Sequence, residues 1–265
     1  MSLQTETLLS RTKRIRQTII KMSHQAQSAH VGSALSAVEI LAALFERKYG
    51  NTKTVDRIIM SKGHAAMALY ATAAEFKQFD ATLLDQYLKD DSAFWGHPSR
   101  DTNFPFIEWS TGSLGHGLPV VIGQAYADLK ILGRSKGLKA VLLSDGECNE
   151  GSNWEAILFA GHHQLTNVLA IVDYNRIQSF GRCEEVMRLE PFAEKWRAFG
   201  WSVIETDGHD LLNLIAKIDE ATQSKKDPTC IIAKTIKGKG VPEIEDKLES
   251  HYKPINESQY RASLK

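Results

Sequence analysis

Cysteine is scarce in this chain of 265 residues: only Cys148, Cys183 and Cys230 occur, far apart from one another. Neither a paired disulfide framework nor a Cys-x-x-Cys metal site can be built from that spacing, so the thiols are expected to be reduced and inert. Net charge is absent as well, since 32 Lys and Arg are matched by 32 Asp and Glu. No field would gather the protein onto nucleic acid or an anionic membrane, and neither is expected as a partner. Long apolar runs are missing, stretches such as Val168–Val172 falling far short of the ~20 residues a bilayer crossing requires. The first thirty residues mix Glu6 with Lys13, Arg14 and Arg16 and lack an apolar core, so they do not read as a secretory signal, and a cytoplasmic location is expected. Proline is sparse, with 7 residues, and no Pro/Ser/Gly-rich linker, repeat or low-complexity stretch divides the chain; one domain over residues 1–265 is expected.

What is present is an alternation of periods. Leu8, Ile15, Ile19, Met22 and Ala26 recur mostly at fours, the spacing of one helix face. Ser36 precedes Glu39 by three and is followed by Ile40, Leu41, Leu44 and Phe45, so a capping box would start a second helix there. The stretch Ala29–Ser33 is then expected to be a loop. Further on, short apolar runs at 140–143 and 168–172 and strand-like segments at 202–205 and 229–233 alternate with helical patterns after Ser152 and over 210–222. This order predicts an α/β fold, a mostly parallel sheet flanked by helices on both faces. Ligands of such sheets sit beyond the carboxyl ends of the strands. The two central runs end in Ser144-Asp145-Gly146-Glu147 and Asp173-Tyr174-Asn175, so both loops should open on one edge.

A single crossover between these runs would bring Asp145 and Asn175 together. Both are oxygen donors, which hard cations such as Mg²⁺ prefer, and Mg²⁺ commonly completes its octahedron with phosphate oxygens and water. Gly146 permits close backbone approach, and a Ser152-x-x-Glu155 capping box would start a helix whose amino end could face an anion. The implied ligand is a metal diphosphate; equally, Asp and Asn often do no more than terminate strands. In Thr111-Gly112-Ser113-Leu114-Gly115-His116-Gly117-Leu118-Pro119 three glycines precede a helical pattern, a loop that matches neither the dinucleotide nor the P-loop fingerprint. His30, His64, His97 and His116 stand beside glycine or in expected loops, where function concentrates. None has the spacing of a helical zinc site. His162 and His163, expected in mid-helix, read as structural or solvated.

Taken together, Ser144-Asp145-Gly146-Glu147, Asn149-Glu150-Gly151, Trp154-Glu155-Ala156 and Asp173-Tyr174-Asn175-Arg176-Ile177 resemble the signature of the thiamine diphosphate-dependent transketolases. The likeness extends to Ser61-Lys62-Gly63-His64, Gly96-His97-Pro98, Gly112-Ser113-Leu114-Gly115 and Lys237-Gly238-Lys239-Gly240-Val241 with His251. It departs at Ser144, where the family usually has glycine, and at Tyr174, where Asn or Asp is common. The resemblance implies that Asp145, Asn175 and the Ile177 carbonyl hold Mg²⁺. It implies that His64, Gly112, Ser113, Leu114, Gly146, Glu150, Asn175 and His251 serve the thiamine diphosphate, Glu150 from a subunit interface. His64 and His251 would contact the diphosphate or a substrate phosphate, and His30 and His97 the donor's hydroxyls with a part in proton transfer.

One-chain members of the family append pyrimidine-binding and carboxyl-terminal domains that are not found in this sequence, and the glutamate that activates the aminopyrimidine comes from the former. The resemblance therefore implies the amino-terminal subunit of a split transketolase, active only with a partner subunit that supplies that glutamate, in a two-plus-two heterotetramer. It would transfer a two-carbon ketol unit from a ketose, expected as its phosphate, to an aldose or other aldehyde, with sugar phosphates as substrates. The alternatives are an α-subunit of a 2-oxo acid dehydrogenase or related acyl-transferring enzyme, and a non-catalytic relative that kept the fold.

Overall fold

The computed structural model describes residues 3–134, 137–224 and 226–264. Five strands form one wholly parallel sheet: β1 (Val55–Met60), β2 (Leu138–Ser144), β3 (Val168–Tyr174), β4 (Ser202–Asp207) and β5 (Thr229–Lys234), in the order β1-β2-β3-β5-β4. The helices are α1 (Leu3–Ala26), α2 (Val31–Ser36), α3 (Val38–Tyr49), α4 (Ala66–Glu75), α5 (Gly117–Tyr126), α6 (Gly151–His162), α7 (Cys183–Val186), α8 (Phe192–Ala198), α9 (Leu211–Ala221) and α10 (Glu257–Ser263).

Strand periodicity divides the core in two. Ala140 and Leu142 of β2, Leu169 and Ile171 of β3 and Ile231 of β5 face one layer, with α1, α3, α4 and α9. Their sequence neighbours Val141, Leu143, Ala170, Val172, Cys230 and Ile232 face the other, with α5, α6 and α8. Successive strand side chains point to opposite faces, and here both faces are covered, which is why these strands read as unbroken apolar runs. On α9 the residues Leu211, Leu214, Ile215 and Ile218 make one buried stripe, and Asp210 caps the helix by accepting from the Asn213 amide at 3.0 Å. The expected α/β sheet, its two central strands and their shared open edge are all present. All three cysteines are free and buried, and no helix among the described residues is long and apolar enough to cross a membrane.

Four local expectations are corrected. Ala29–Ser33 is not all loop, because α2 begins at Val31. Ser36 does not cap a helix: its hydroxyl bonds the Asp173 carboxylate at 2.6 Å, while Glu39 pairs with Arg16 and His209, and the chain merely bends at Ala37. Ser152 is likewise no cap, since its hydroxyl goes to the Gly115 carbonyl at 2.7 Å and α6 begins after Glu150. In each case a tertiary partner outcompetes a local amide. His162 and His163 sit at the end of α6 rather than in its middle. Strand β1, with a buried pattern only at its ends, carries too little periodicity to be seen in sequence.

The carboxyl edge of the sheet is tied together by a buried ion pair. Lys62, just past β1, contacts the Asp173 carboxylate at the end of β3, and both side chains are wholly excluded from solvent. Lys62 also donates to the Ser33 carbonyl of α2 at 3.1 Å, and Asp173 accepts from Ser36 and, beyond β5, from Thr235. Removing one member of such a pair strands the other charge. Lys62→Met is accordingly expected to lower the unfolding free energy by about 3–5 kcal/mol in urea titration; a loss below ~1 kcal/mol, the level of an exposed pair, would contradict this account.

Candidate functional site

The loops that leave β2 and β3 meet as the crossover through α6 requires. After Ser144 the chain makes a short 3-10 turn, Gly146–Asn149. The Asp145 carboxylate accepts from the Gly146 amide at 2.7 Å with one oxygen and from the Arg176 amide with the other. Asn175 Oδ1 accepts from the Ile177 amide at 3.1 Å, so the side chain folds over its own turn. Asp145 and Asn175 are both buried. Burial pushes the Asp145 carboxyl above its usual range, Asp173 adds to this, and the two backbone hydrogen bonds oppose it. A buried carboxylate of this kind is primed for a cation.

These groups border a cavity of about 330 Å³. Its walls include His64, Gly112, Leu114, Asp145, Gly146, Glu150, Asn175, Ile177 and His251, nearly the whole expected set. Ser113 does not line it and is exposed. His30 and His97 lie alongside: the His30 ring is 4.8 Å from His251, 5.6 Å from His64 and 6.1 Å from His97. His30 holds a left-handed backbone, φ 67°, directly before α2, and its amide donates to the His251 carbonyl at 2.9 Å. Such strain at a non-glycine residue is kept where the surroundings fix a side chain's aim.

Sequence reading missed three groups here. Along the chain Lys237 is only one member of a Lys-Gly-Lys-Gly segment, yet its ammonium is buried between the Ile177 carbonyl at 2.8 Å and His251 Nδ1 at 3.1 Å. Burial lowers its pKa to about 8 despite the opposing pull of Asp145. Ser33 and Glu147 also line the cavity. The signal that could have found Lys237 is the pair of glycines that follow it, Gly238 with φ 81° and Gly240 with φ 97°, which let the backbone turn there.

The electrostatics of the site favour an anion. Burial lowers His30 to about 4, with His97 and Lys237 adding to the effect. It lowers His251 to about 3, with Lys237 and His30 adding, and carries His64 well below its ordinary value, helped by Lys62 and His30. Desolvation and neighbouring positive charge act together on all three. A metal diphosphate fits this donor set. Asp145, Asn175 and the Ile177 carbonyl supply hard oxygens, and Lys237 with the imidazoles supplies positive charge or donors for phosphate oxygens. Among the described residues no group of three or more His, Cys, Asp or Glu is arranged to hold a metal by itself. Two expected contacts are engaged within the chain: the Gly146 amide with Asp145, and the Ile177 carbonyl with Lys237.

Comparison with known proteins decides the family. The profile of the transketolase thiamine diphosphate binding domain matches residues 9–265. The chain belongs to the transketolase family. It is 34% identical over 270 residues to one subunit of an apulose-4-phosphate transketolase of Phocaeicola vulgatus, covering 99% of this chain and 94% of that one. To a 6-deoxy-6-sulfo-D-fructose transketolase subunit of a Clostridium species it is 36% identical over 241 residues, covering 89% and 86%. A solved transketolase from Campylobacter jejuni superposes with a TM-score of 0.85 at 27% identity, over 99% of this chain and 42% of that chain. This transketolase chain thus spans about two fifths of that solved enzyme's length. It is a transferase of the ketol-transferring type with a thiamine diphosphate-binding domain, and a 2-oxo acid dehydrogenase subunit is not favoured.

The depressed imidazoles of this transketolase have a measurable consequence. A histidine whose folded pKa lies below its unfolded value binds its proton more readily in the unfolded state, so it subtracts stability as pH falls through ~6.5 toward the folded value. His251 faces Lys237, His30, His64 and Lys62. His251→Asn should therefore flatten the fall in thermal midpoint of the ligand-free protein between pH 7 and pH 5. Superimposable slopes for wild type and variant would show that His251 is not held neutral.

Proposed function

We propose that this chain is the diphosphate-binding subunit of a two-chain transketolase, acting as one domain over its length and requiring Mg²⁺. The observation that carries the reading is the meeting of Asp145 with the Asn175–Ile177 turn at the open edge of the sheet, beside four neighbouring imidazoles. Asp145, Asn175 and the Ile177 carbonyl would hold Mg²⁺, and His64, Lys237 and His251 the diphosphate. Gly112 and Leu114 would border the pyrimidine end with their backbone. Thiamine diphosphate, when bound, supplies the carbon nucleophile that accepts and releases the two-carbon unit, and the protein's part is to orient it.

His30 and His97, beside the cavity's His64 and His251, would meet the sugar. Both have lowered pKa values, for which burial is the first cause, so each is a neutral imidazole near pH 7, able to accept a hydroxyl proton or donate one. Those are the exchanges a ketose undergoes when its carbon chain is cut and rejoined. Both bacterial relatives are named for sugars that carry an anion at the end remote from the ketol, a phosphate in one and a sulfonate in the other. We extend that class to this chain: an anionic ketose as donor and an aldose or other aldehyde as acceptor.

Both relatives are named as subunits, and Glu150, exposed and among the cavity-lining residues, would meet another chain. The partner would carry the pyrimidine-binding domain and its catalytic glutamate, in a two-plus-two heterotetramer. Ketol transfer with Mg²⁺ and thiamine diphosphate should appear only when both chains are present. In the assembled enzyme, Asp145→Ala should abolish Mg²⁺-dependent thiamine diphosphate binding in titration calorimetry while leaving the thermal midpoint near wild type. Retained binding by that variant would remove Asp145 from the metal site.

A further inference from the structure

Glu147 belongs to no ligand set described above, yet it is wholly buried two residues beyond Asp145. Its carboxylate accepts three hydrogen bonds from three different segments. One oxygen takes the Ser61 hydroxyl and the Gly115 amide, the latter at 3.0 Å, and the other takes the Ser144 amide at 3.2 Å. Ser61 Oγ in turn accepts from the Gly117 amide at 3.1 Å. The far side of the Gly115 residue is held too, its carbonyl accepting from the Ser152 hydroxyl at 2.7 Å.

These bonds leave no slack between the segments. A Cβ at Gly117 would fall 2.3 Å from Ser61 Oγ, and one at Gly115, where φ is 84°, would fall 2.7 Å from both the Glu150 Cβ and Ser152 Oγ. The glycine loop is therefore pressed against the strand ends, and Glu147 is the group that bonds both. From that loop Gly112 and Leu114 face the cavity; from the other side come Asp145 and Gly146. Burial pushes the Glu147 carboxyl above its usual range, and the hydrogen bonds from Ser61, Gly115 and Ser144 oppose that cost.

We infer that Glu147 is a positioning residue that sets the distance between the pyrimidine-bordering loop and the metal-diphosphate corner, so that both ends of one thiamine diphosphate are engaged at once. This rests on the thiamine diphosphate reading of the cavity. Two-point binding gains its strength from fixed geometry, and a shift of ~1 Å between the points can forfeit it. A ligand that uses the diphosphate corner alone is indifferent to that distance. Glu147 thus acts on the cofactor through the two segments that its carboxylate joins.

The test compares thiamine diphosphate with inorganic pyrophosphate, both with Mg²⁺, by titration calorimetry on the chain assembled with its partner. Glu147→Gln keeps the side-chain volume but turns an NH₂ group toward one of the three donors. Thiamine diphosphate should weaken by about 10- to 100-fold while pyrophosphate changes by less than about 2-fold. Ser61→Ala, which removes one donor and no charge, should move in the same direction by a smaller factor. Equal weakening of both ligands, or of neither, in Glu147→Gln would overturn the inference. Should Glu147→Gln fail to fold, equal weakening in Ser61→Ala overturns it instead. A wild-type enzyme that binds pyrophosphate but not thiamine diphosphate would overturn the cofactor reading itself, a result distinct from either.

Discussion

The buried contact between Lys62 and Asp173 is the constraint on which the site depends. Lys62 comes from the segment after β1, Asp173 from the end of β3, Ser33 and Ser36 from α2, and Thr235 from beyond β5. An ion pair excluded from water is not a cheap way to gain stability, because desolvation offsets most of the attraction. What it gives is uniqueness: each charge demands its partner, so four segments have one relative arrangement. Asp173 lies directly before Tyr174 and Asn175, and Lys62 directly before Gly63 and His64. The pair therefore fixes the base of the cavity on two sides.

Around that base the residues are arranged by sign. Asp145 and Glu147 form a short acidic line along the turn after β2, bonded to backbone amides and a hydroxyl. Lys237, His64 and His251 line the other wall, with His30 and Lys62 nearby, and burial, reinforced by these neighbouring groups, holds the histidine pKa values down. A cation chelated by an anion would suit this division, Asp145 taking the metal and the other wall the phosphate oxygens. In that reading the neutral imidazoles of His30 and His97 would exchange protons with a sugar, and one arrangement would serve both anchoring and chemistry.

The main features were legible because they depend on local sequence. Fully buried parallel strands announce themselves as apolar runs, and Ser144–Glu147 and Asp173–Asn175 mark where those runs stop. The spacing of Asp145 and Asn175 across one helix sufficed to place them together. Helix α2 and strand β1 were not legible, the first because only six residues, all buried by their neighbours, form it, the second because exposed Asp56 and Arg57 interrupt its apolar pattern. Ser36 and Ser152 misled for a single reason. A hydroxyl three residues before a carboxylate is a cap only if no better acceptor arrives from elsewhere, and here Asp173 and the Gly115 carbonyl arrived.

By itself the sequence determined the α/β class, the open edge at the ends of β2 and β3, the oxygen donors Asp145 and Asn175, and the resemblance that names the cofactor. The first three follow from periodicity and from spacing along the chain, which folding does not alter, and the last from the likeness of whole motifs to a known family. Only the tertiary structure decided which buried charges face each other. Lys237 against the Ile177 carbonyl and His251, Lys62 against Asp173, and Glu147 among Ser61, Gly115 and Ser144 are contacts between segments far apart in sequence. Such partners are chosen by burial, where every polar group must find another, and no local pattern records that choice.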